Sequence, residues 1–170
     1  MGAGVVLDTS YLITLADPDR PNYAVARRYW QYFMEQGLPV YLPTIVVSEF
    51  YVRQEIPPEI LRCCVVLPFN WGDAIKTAEL DFTQCRVPNE SRVAVKDDVK
   101  IIAQAVICGA LHVISEDADT LIRIAADLKV AGKIDFKPIC LKDGFDRAFL
   151  DANGQRDFED TLNQSDNETV

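Results

Sequence analysis

Two adjacent aspartates stand at the start of an apolar helical pattern in KDDVKIIAQA, residues 96–105. The positions three, four, seven and eight after Asp98 are apolar: Ile101, Ile102, Ala105 and Val106. The positions three and seven after Asp97 are Lys100 and Gln104. Helical spacing therefore predicts that Asp98 faces the core and that Asp97 faces solvent. A buried carboxylate is costly unless it is paired or bound to a metal ion, so Asp98 should have companions.

Three further segments supply acids that could join Asp98. Asp8 directly follows the apolar run VVL, and Asp117 and Asp119 follow LHVIS in the same way. Side chains just past the carboxyl ends of parallel strands face the crevice in which ligands bind. Glu49 lies in PTIVVSEFYV, among mainly apolar neighbours at helical spacing. Carboxylate oxygens are ligands that Mg²⁺ prefers, and a bound cation would relieve their mutual repulsion.

Each acid also has a structural interpretation, as a helix cap, a dipole-facing residue, a turn residue or half of an ion pair. Asp8 can cap the helix that follows it, and Glu49 can pair with Arg53 four positions later. His112 is the chain's one histidine and lies in a predicted strand, so we interpret it as structural. What favours a shared site is the occurrence of several costly acids on four separate elements.

Composition predicts one folded domain. The chain has 170 residues, 49% of them hydrophobic, and a net charge of −9, which argues against broad adhesion to nucleic acid. Segment 151–170 is acidic and poor in apolar residues, so we predict a single domain at 1–150 followed by a disordered tail. The start MGAGVVLD lacks the basic segment of a secretory signal, and we expect a cytoplasmic protein. Five cysteines without metal-ligand spacing agree with a reducing compartment.

Strands and helices alternate along the chain, which indicates an α/β domain with a parallel sheet covered on both faces. Short apolar runs predict strands at 4–7, 39–42, 64–67, 111–114 and 136–141. Helical patterns are expected within 10–16, at 22–36 with Asn22 as its cap, and at 44–55, 71–82, 96–109 and 120–130. We expect the segment 83–95 to be mainly loop.

Four stretches, taken in order, resemble the PIN-domain family, a metal-dependent nuclease fold that includes VapC-type toxins. They are VVLDTSYLI, PTIVVSEF, DVKIIAQAVICGA and LHVISEDAD, within residues 4–141. The resemblance implies a three-layer α/β/α sandwich with strand order 3-2-1-4-5. It also implies that the acids around one or two Mg²⁺ or Mn²⁺ ions are Asp8, Glu49, Asp98 and Asp117. Asp119 is then an additional acid, and Ser115 a hydroxyl that orients the first one.

The activity that this resemblance implies is hydrolysis of phosphodiester bonds in RNA by a metal-activated water. We expect single-stranded RNA, because few basic residues are present to grip a duplex. We interpret four scattered basic residues as solvated surface groups: Arg53, Lys96, Lys100 and Arg123. The resemblance leaves open a role as the toxin of a toxin–antitoxin pair, with a protein antitoxin and a homodimer as partners.

Two other functions stay open at this point. One is a PIN-fold scaffold or binding protein that has lost turnover, against which the intact acids count. The other is a metal-dependent phosphohydrolase or receiver-like module. VVLDTS offers a single aspartate after the first strand, which fits poorly with the paired acids that those two classes require.

Overall fold

The computed structural model of the protein describes residues 3–150 and contains one parallel five-stranded sheet. Its strands are β1 Val5–Leu7, β2 Val40–Pro43, β3 Cys64–Leu67, β4 His112–Ser115 and β5 Lys137–Cys140. They lie in the order β3-β2-β1-β4-β5, and every neighbouring pair is parallel. The predicted order is therefore confirmed, whereas the acidic segment 151–170 lies outside the described residues.

Helices flank this sheet in two groups. They are α1 Thr9–Ala16, α2 Tyr23–Glu35, α3 Thr44–Tyr51, α4 Pro58–Leu61, α5 Trp71–Leu80, α6 Phe82–Cys85, α7 Arg92–Cys108 and α8 Arg123–Val130. α1 packs against α2 and α3, while α5, α6 and α8 contact α7. Within residues 3–150, no helix has the length and apolar character that crossing a bilayer demands.

The core is centred on β1, whose three residues are completely buried between its neighbours and the helices. A continuous apolar run suits such a strand because both of its faces are covered. Just before it, Gly4 allows β1 to approach β2 closely: an added methyl group would lie 2.4 Å from the carbonyl oxygen of Pro39. At the sheet edge, by contrast, Val65 and Val66 of β3 remain exposed.

The longest helix, α7, begins earlier than its sequence pattern predicted. It starts at Arg92 rather than near residue 96, because the Ser91 hydroxyl accepts a hydrogen bond from the N–H of Ala94 and caps it. Part of the expected loop is therefore helical. Gly109 ends α7 in the left-handed conformation, as its position after the pattern indicated.

Other boundaries and one cap also differ from prediction. α3 ends at Tyr51, four residues before the expected end. A π-helical turn, Ala118–Ile122, precedes α8, so the helical segment after β4 starts earlier than residue 120. Asn22 precedes α2 but makes no side-chain cap there, because its amide donates to Glu116 instead.

Candidate active site at the carboxyl edge of the sheet

Asp8 is held at the end of β1 by two serine hydroxyls. Its Oδ2 accepts hydrogen bonds from Ser10 Oγ at 2.6 Å, Ser115 Oγ at 2.6 Å and the Ser10 N–H at 3.2 Å. The two hydroxyls in turn accept from the backbone N–H groups of Glu116, at 2.8 Å, and Asp117, at 2.9 Å. Backbone donors at the end of β4 are thus relayed to a carboxylate at the end of β1.

Asp8 combines the two interpretations that its sequence position allowed. It caps α1 through the Ser10 N–H, and its side chain is also only 5% exposed. Burial raises the pKa of Asp8, and the hydrogen bonds from Ser10 and Ser115 only partly offset that effect. Ser115 lies where the resemblance placed an orienting hydroxyl, whereas the equivalent contact of Ser10 was not predicted.

Glu49 lies beside Asp8 rather than paired with Arg53. Its Oε2 accepts a hydrogen bond from the Thr9 hydroxyl at the start of α1. Burial raises the pKa of Glu49, the Thr9 hydrogen bond lowers it, and the charges of Asp8 and Asp97 raise it further. An acid from α3 and an acid from β1 therefore share one electrostatic environment.

Asp98 is a third carboxyl group whose pKa these surroundings raise. Its pKa is raised to about 7, chiefly by burial and further by the charges of Asp8, Asp117 and Glu49, against the opposing effect of the Thr120 hydroxyl. Its Oδ2 is buried and has no hydrogen-bond partner in the described part of the chain. A buried acceptor without a donor is rare in native proteins and indicates that something is needed to satisfy it.

The prediction from helical spacing was only partly correct for the face of α7 that carries Asp97 and Gln104. Asp97 is half-buried rather than fully solvated, pairs with Lys100 at 2.7 Å, and is close enough to Glu49 to raise its pKa. Gln104, expected on the solvent-facing side, is 1% exposed. Its Nε2 donates at 3.2 Å to the carbonyl of Leu67, because that side of α7 packs on the end of β3.

Asp117 and Asp119 are placed differently from the other acids. The Asp117 carboxylate accepts from the N–H groups of Asp119 and Thr120, both at 3.0 Å, and from the Thr120 hydroxyl at 2.6 Å. Asp117 therefore caps the π-helical turn while contributing its charge to Asp98. Asp119 is exposed. Within residues 3–150, no three His, Cys, Asp or Glu side chains lie close enough together in their present positions to hold a metal ion.

The donor set nevertheless fits a hard divalent cation. Asp8, Glu49 and Asp98 offer only oxygen atoms, and each has its pKa raised first by burial and then, for Glu49 and Asp98, by neighbouring negative charge. A cation would reverse both the repulsion and the desolvation cost. It would also give the buried Asp98 Oδ2 the partner that it lacks.

A second polar cluster beside this site was missed from the sequence. Glu116 is 9% exposed and accepts from Arg20 Nη2 at 2.7 Å, Asn22 Nδ2 at 2.7 Å and Thr14 Oγ1 at 2.6 Å. Burial alone would raise the pKa of Glu116, but these hydrogen bonds together hold it below its usual value. The partners are 94 to 102 residues away along the chain, so local patterns gave no signal.

The basic residues singled out from the sequence are of two kinds. Arg123 pairs with Glu90 at 2.6 Å, and Lys100 is paired as described, so both have structural contacts. Arg53 and Lys96 are exposed. His112 lies at the opposite end of β4 from Ser115, and its Nδ1 is 3.1 Å from the Lys137 carbonyl oxygen; burial lowers the pKa of His112.

Comparison with known proteins shows similarity in structure but not in sequence. No protein-family model matches the chain, and no curated protein does. FitAcB from Neisseria gonorrhoeae aligns with a TM-score of 0.56 and 15% identity, covering 81% of this chain and 98% of that chain. DNA-bound VapBC from Salmonella typhimurium aligns with a TM-score of 0.54 and 13% identity, covering 82% of this chain and 99% of that chain. VapC20 from Mycobacterium tuberculosis, a Sarcin-Ricin loop cleaving toxin, aligns with a TM-score of 0.51 and 15% identity, covering 73% of this chain and 95% of that chain.

These structures agree with the strand order and the flanking helices of the sheet. Their identities, 12% to 15% including VapBC2 from Rickettsia felis, are too low to transfer activity, but they cover almost the whole of each matched chain. The protein therefore has the three-layer α/β/α fold of the PIN-domain family, as the VapC-type toxins do.

Proposed function

We propose that this protein is an endoribonuclease that depends on Mg²⁺ or Mn²⁺. The observation that carries the proposal is Asp98, whose buried Oδ2 lacks a donor in a group of carboxylates with raised pKa values. Structural ion pairs would satisfy such a group, but none of the ion pairs within residues 3–150 includes Asp98, and the nearby Lys100 is paired with Asp97. The residues that would hold the ion are Asp8, Glu49, Asp98 and Asp117, with Asp119 beside them.

The chain's own residues would prepare this site in distinct ways. Ser10 and Ser115 fix the orientation of Asp8 by occupying its Oδ2. Asp98 projects from α7 into the same crevice, and its exchange of a proton for a cation would remove the cost of burying its charge. When bound, the cation lowers the pKa of water and offsets negative charge on phosphate oxygens.

Two acids would have to reorient in order to coordinate an ion. Glu49 is bound to the Thr9 hydroxyl, and Asp117 to the turn that it caps. The Glu49 contact is a single hydrogen bond from a hydroxyl, and the Asp117 contacts lie within its own turn. A change of side-chain rotamer at each acid would redirect it toward the ion. The acids are close enough to raise one another's pKa values, yet no three of them form a ready-made ligand cluster within residues 3–150. A rearrangement on metal binding accounts for both observations.

The test is cleavage of single-stranded RNA by the purified protein. We expect cleavage with Mg²⁺ or Mn²⁺, loss of cleavage with EDTA, and slower cleavage of a duplex of the same sequence. Asp8→Asn should lose at least about a hundredfold in rate, since it removes one charged ligand. Val130→Ala, an exposed change at the far end of α8, is the control. A pure, folded wild-type protein that cuts no RNA under these conditions would support the scaffold alternative.

A second proposal concerns partners. Three of the similar structures contain VapBC or FitAcB assemblies. By that likeness we propose that this protein is the toxin of a toxin–antitoxin pair and binds a protein antitoxin. Induced expression should stop growth for the wild type but not for Asp8→Asn, and co-expression of the neighbouring small reading frame should restore growth. Arrest that is equal in both variants would contradict a toxin that acts by catalysis.

A further inference from the structure

Two aromatic residues and one lysine lie at the carboxyl end of β3, the edge of the sheet that also carries the acids, and we call them the aromatic rim: Phe69, Trp71 and Lys100. Trp71 is 82% exposed at the start of α5. Phe69 is half-buried, and Lys100 Nζ lies 6.0 Å from the centre of its ring. All three follow or face the carboxyl end of β3, so the rim shares an edge of the sheet with the acids.

Contacts connect the rim directly to the candidate site. The Phe69 N–H donates at 3.3 Å to Thr44 Oγ1, at the start of the helix that carries Glu49. Lys100 pairs with Asp97, and its charge acts on Glu49. β3 lies two strands from β1, a separation of about 10 Å at the usual strand spacing. The rim is therefore next to the acids without being part of them.

Folding of the local chain does not explain why Trp71 is aromatic. The start of α5 is capped by Asn70 and Asp73, whose side chains and backbones exchange hydrogen bonds. Trp71 occupies the first helical position between them, and most of its surface contacts solvent. An exposed indole is a ready surface for a flat, apolar ligand face.

We propose that the aromatic rim binds an unpaired base of the RNA substrate, with Trp71 stacking on the base and Lys100 contacting an adjacent phosphate. The inference rests on the proposed ribonuclease function and extends it to substrate recognition. A chain with net charge −9 has little electrostatic attraction for RNA, whereas stacking on an aromatic ring does not depend on charge. A base paired within a duplex cannot stack in this way, so the rim selects single strands.

A protein partner is the other occupant that an exposed tryptophan can have. The rim favours RNA because it places a cation, Lys100, close to aromatic rings, and it does so beside the proposed cleavage site. An aromatic ring can stack on a base while the cation contacts the phosphate of the same strand. The exposed valines of β3, Val65 and Val66, lie on the strand itself and are a separate surface. The experiment below distinguishes the two occupants.

The test measures binding of a fluorescein-labelled single-stranded RNA by anisotropy, in Asp98→Asn protein with Mn²⁺ so that no cleavage occurs. Trp71→Ala should raise Kd roughly tenfold, as expected for the loss of one stacked base. Trp71→Phe should restore most of the affinity, because it keeps an aromatic face. Lys100→Met should weaken binding and reduce its salt dependence, because it removes the positive charge. Lys100→Arg keeps the charge and should change neither the affinity nor the salt dependence. Val130→Ala is the exposed apolar control.

Tryptophan fluorescence gives an independent readout. The two tryptophans are Trp71 and the half-buried Trp30, which packs against the core. RNA should quench the emission of Trp71, so Trp71→Phe should lose the quenching while it retains the affinity. A protein that binds RNA without any change in this emission would contradict stacking on Trp71.

The outcomes separate the two proposals. If the wild type cleaves RNA but Trp71→Ala binds it as tightly as the parent does, the rim proposal is overturned and the ribonuclease stands. If Trp71→Ala instead changes only the elution volume of the protein on size exclusion, the rim is a protein contact and the proposal is likewise overturned. If the wild type neither binds nor cleaves RNA, both proposals fail.

Discussion

Asp97 and Asp98 are chemically identical and adjacent, yet α7 places them in different environments. Asp97 has a cation at 2.7 Å, and Asp98 has three other carboxylates and a buried oxygen without a donor. The difference follows from the 100° rotation between successive helical residues, which turns one side chain toward Lys100 and the other toward the sheet edge. Charge balance, rather than residue type, therefore separates their expected roles.

This pair of residues gives a matched test of the site. Asp98→Asn should lower RNA cleavage at least about a hundredfold, because it removes a charged ligand while leaving the shape of the side chain nearly unchanged. Asp97→Asn should lower cleavage by less than about tenfold, since it frees Lys100 but removes no proposed ligand. Rates with Mn²⁺ and circular dichroism of both variants provide the measurement and the folding control. Equal losses in the two variants would contradict the assignment of Asp98.

The raised pKa of Asp98 predicts how stability varies with pH when no metal is present. Its folded value of about 7 exceeds its ordinary value of 3.8, so the protonated form is favoured by folding. Its contribution to the free energy of unfolding is fully present below about pH 4 and is lost as the pH rises through about 7. Asp98→Asn, which cannot ionise, should therefore gain stability relative to the wild type as the pH increases.

Urea unfolding in EDTA at about pH 5 and about pH 8 would measure this difference. Glu116 supplies a comparison of opposite sign, because its pKa is lowered by its hydrogen bonds despite burial. Its contribution is present above its unfolded pKa and is lost on acidification. Glu116→Gln should accordingly cost less stability at about pH 3, below the ordinary pKa of 4.5, than at about pH 5. A pH-independent gap for Asp98→Asn would contradict the pKa argument.

At the scale of elements, Gly4 determines how closely β1 and β2 can approach. Gly4→Ala should destabilise the protein by about 1–3 kcal/mol, because the new methyl group would lie 2.4 Å from a backbone oxygen that cannot easily move. Gly72→Ala in α5 is the matched control: its methyl group would meet only the Asn70 side chain, at 3.3 Å. We expect it to change stability by less than about 1 kcal/mol. Urea denaturation of both variants tests the comparison.

Elements with strong local signals were predicted well. The apolar runs VVL and CVVL each form a strand, and Gly109 ends α7, as their local patterns predicted. VVL is completely buried, whereas CVVL forms an edge strand with two exposed valines. Boundaries fixed by a single hydrogen bond were predicted poorly, as at the Ser91 cap of α7. Gln104 was placed on the wrong face because helical spacing defines a direction but not what packs there.

The acids of the candidate site could be picked out because a carboxylate on an apolar face has few structural uses. Their supporting contacts could not. Ser10 and Glu116 act through partners about a hundred residues away along the chain, and neither position stands out from an ordinary polar residue near the end of a strand. Long-range polar networks leave no periodic signal in sequence.

For the whole molecule, the proposed cation should be linked to stability. A ligand that binds only the folded state stabilises it by mass action, by about 2.7 kcal/mol at a hundred times its Kd. We therefore expect millimolar Mg²⁺ or Mn²⁺ to raise the melting temperature. Asp8→Asn should weaken that response and, by removing one of several repelling charges, raise the melting temperature in EDTA. Identical melting curves with and without both ions would exclude a metal site at this edge.

The relay from β4 to Asp8 has a consequence for when the protein becomes active during its synthesis. Ser115 lies 107 residues after the carboxylate that it orients, and β4 must pair with β1 before the two can meet. Contacts so distant in sequence form late in folding. A nascent chain on the ribosome would thus carry Asp8 without the completed candidate site until β4 has been made. Translation itself would delay the appearance of the proposed RNA-cleaving activity until the greater part of the domain has emerged.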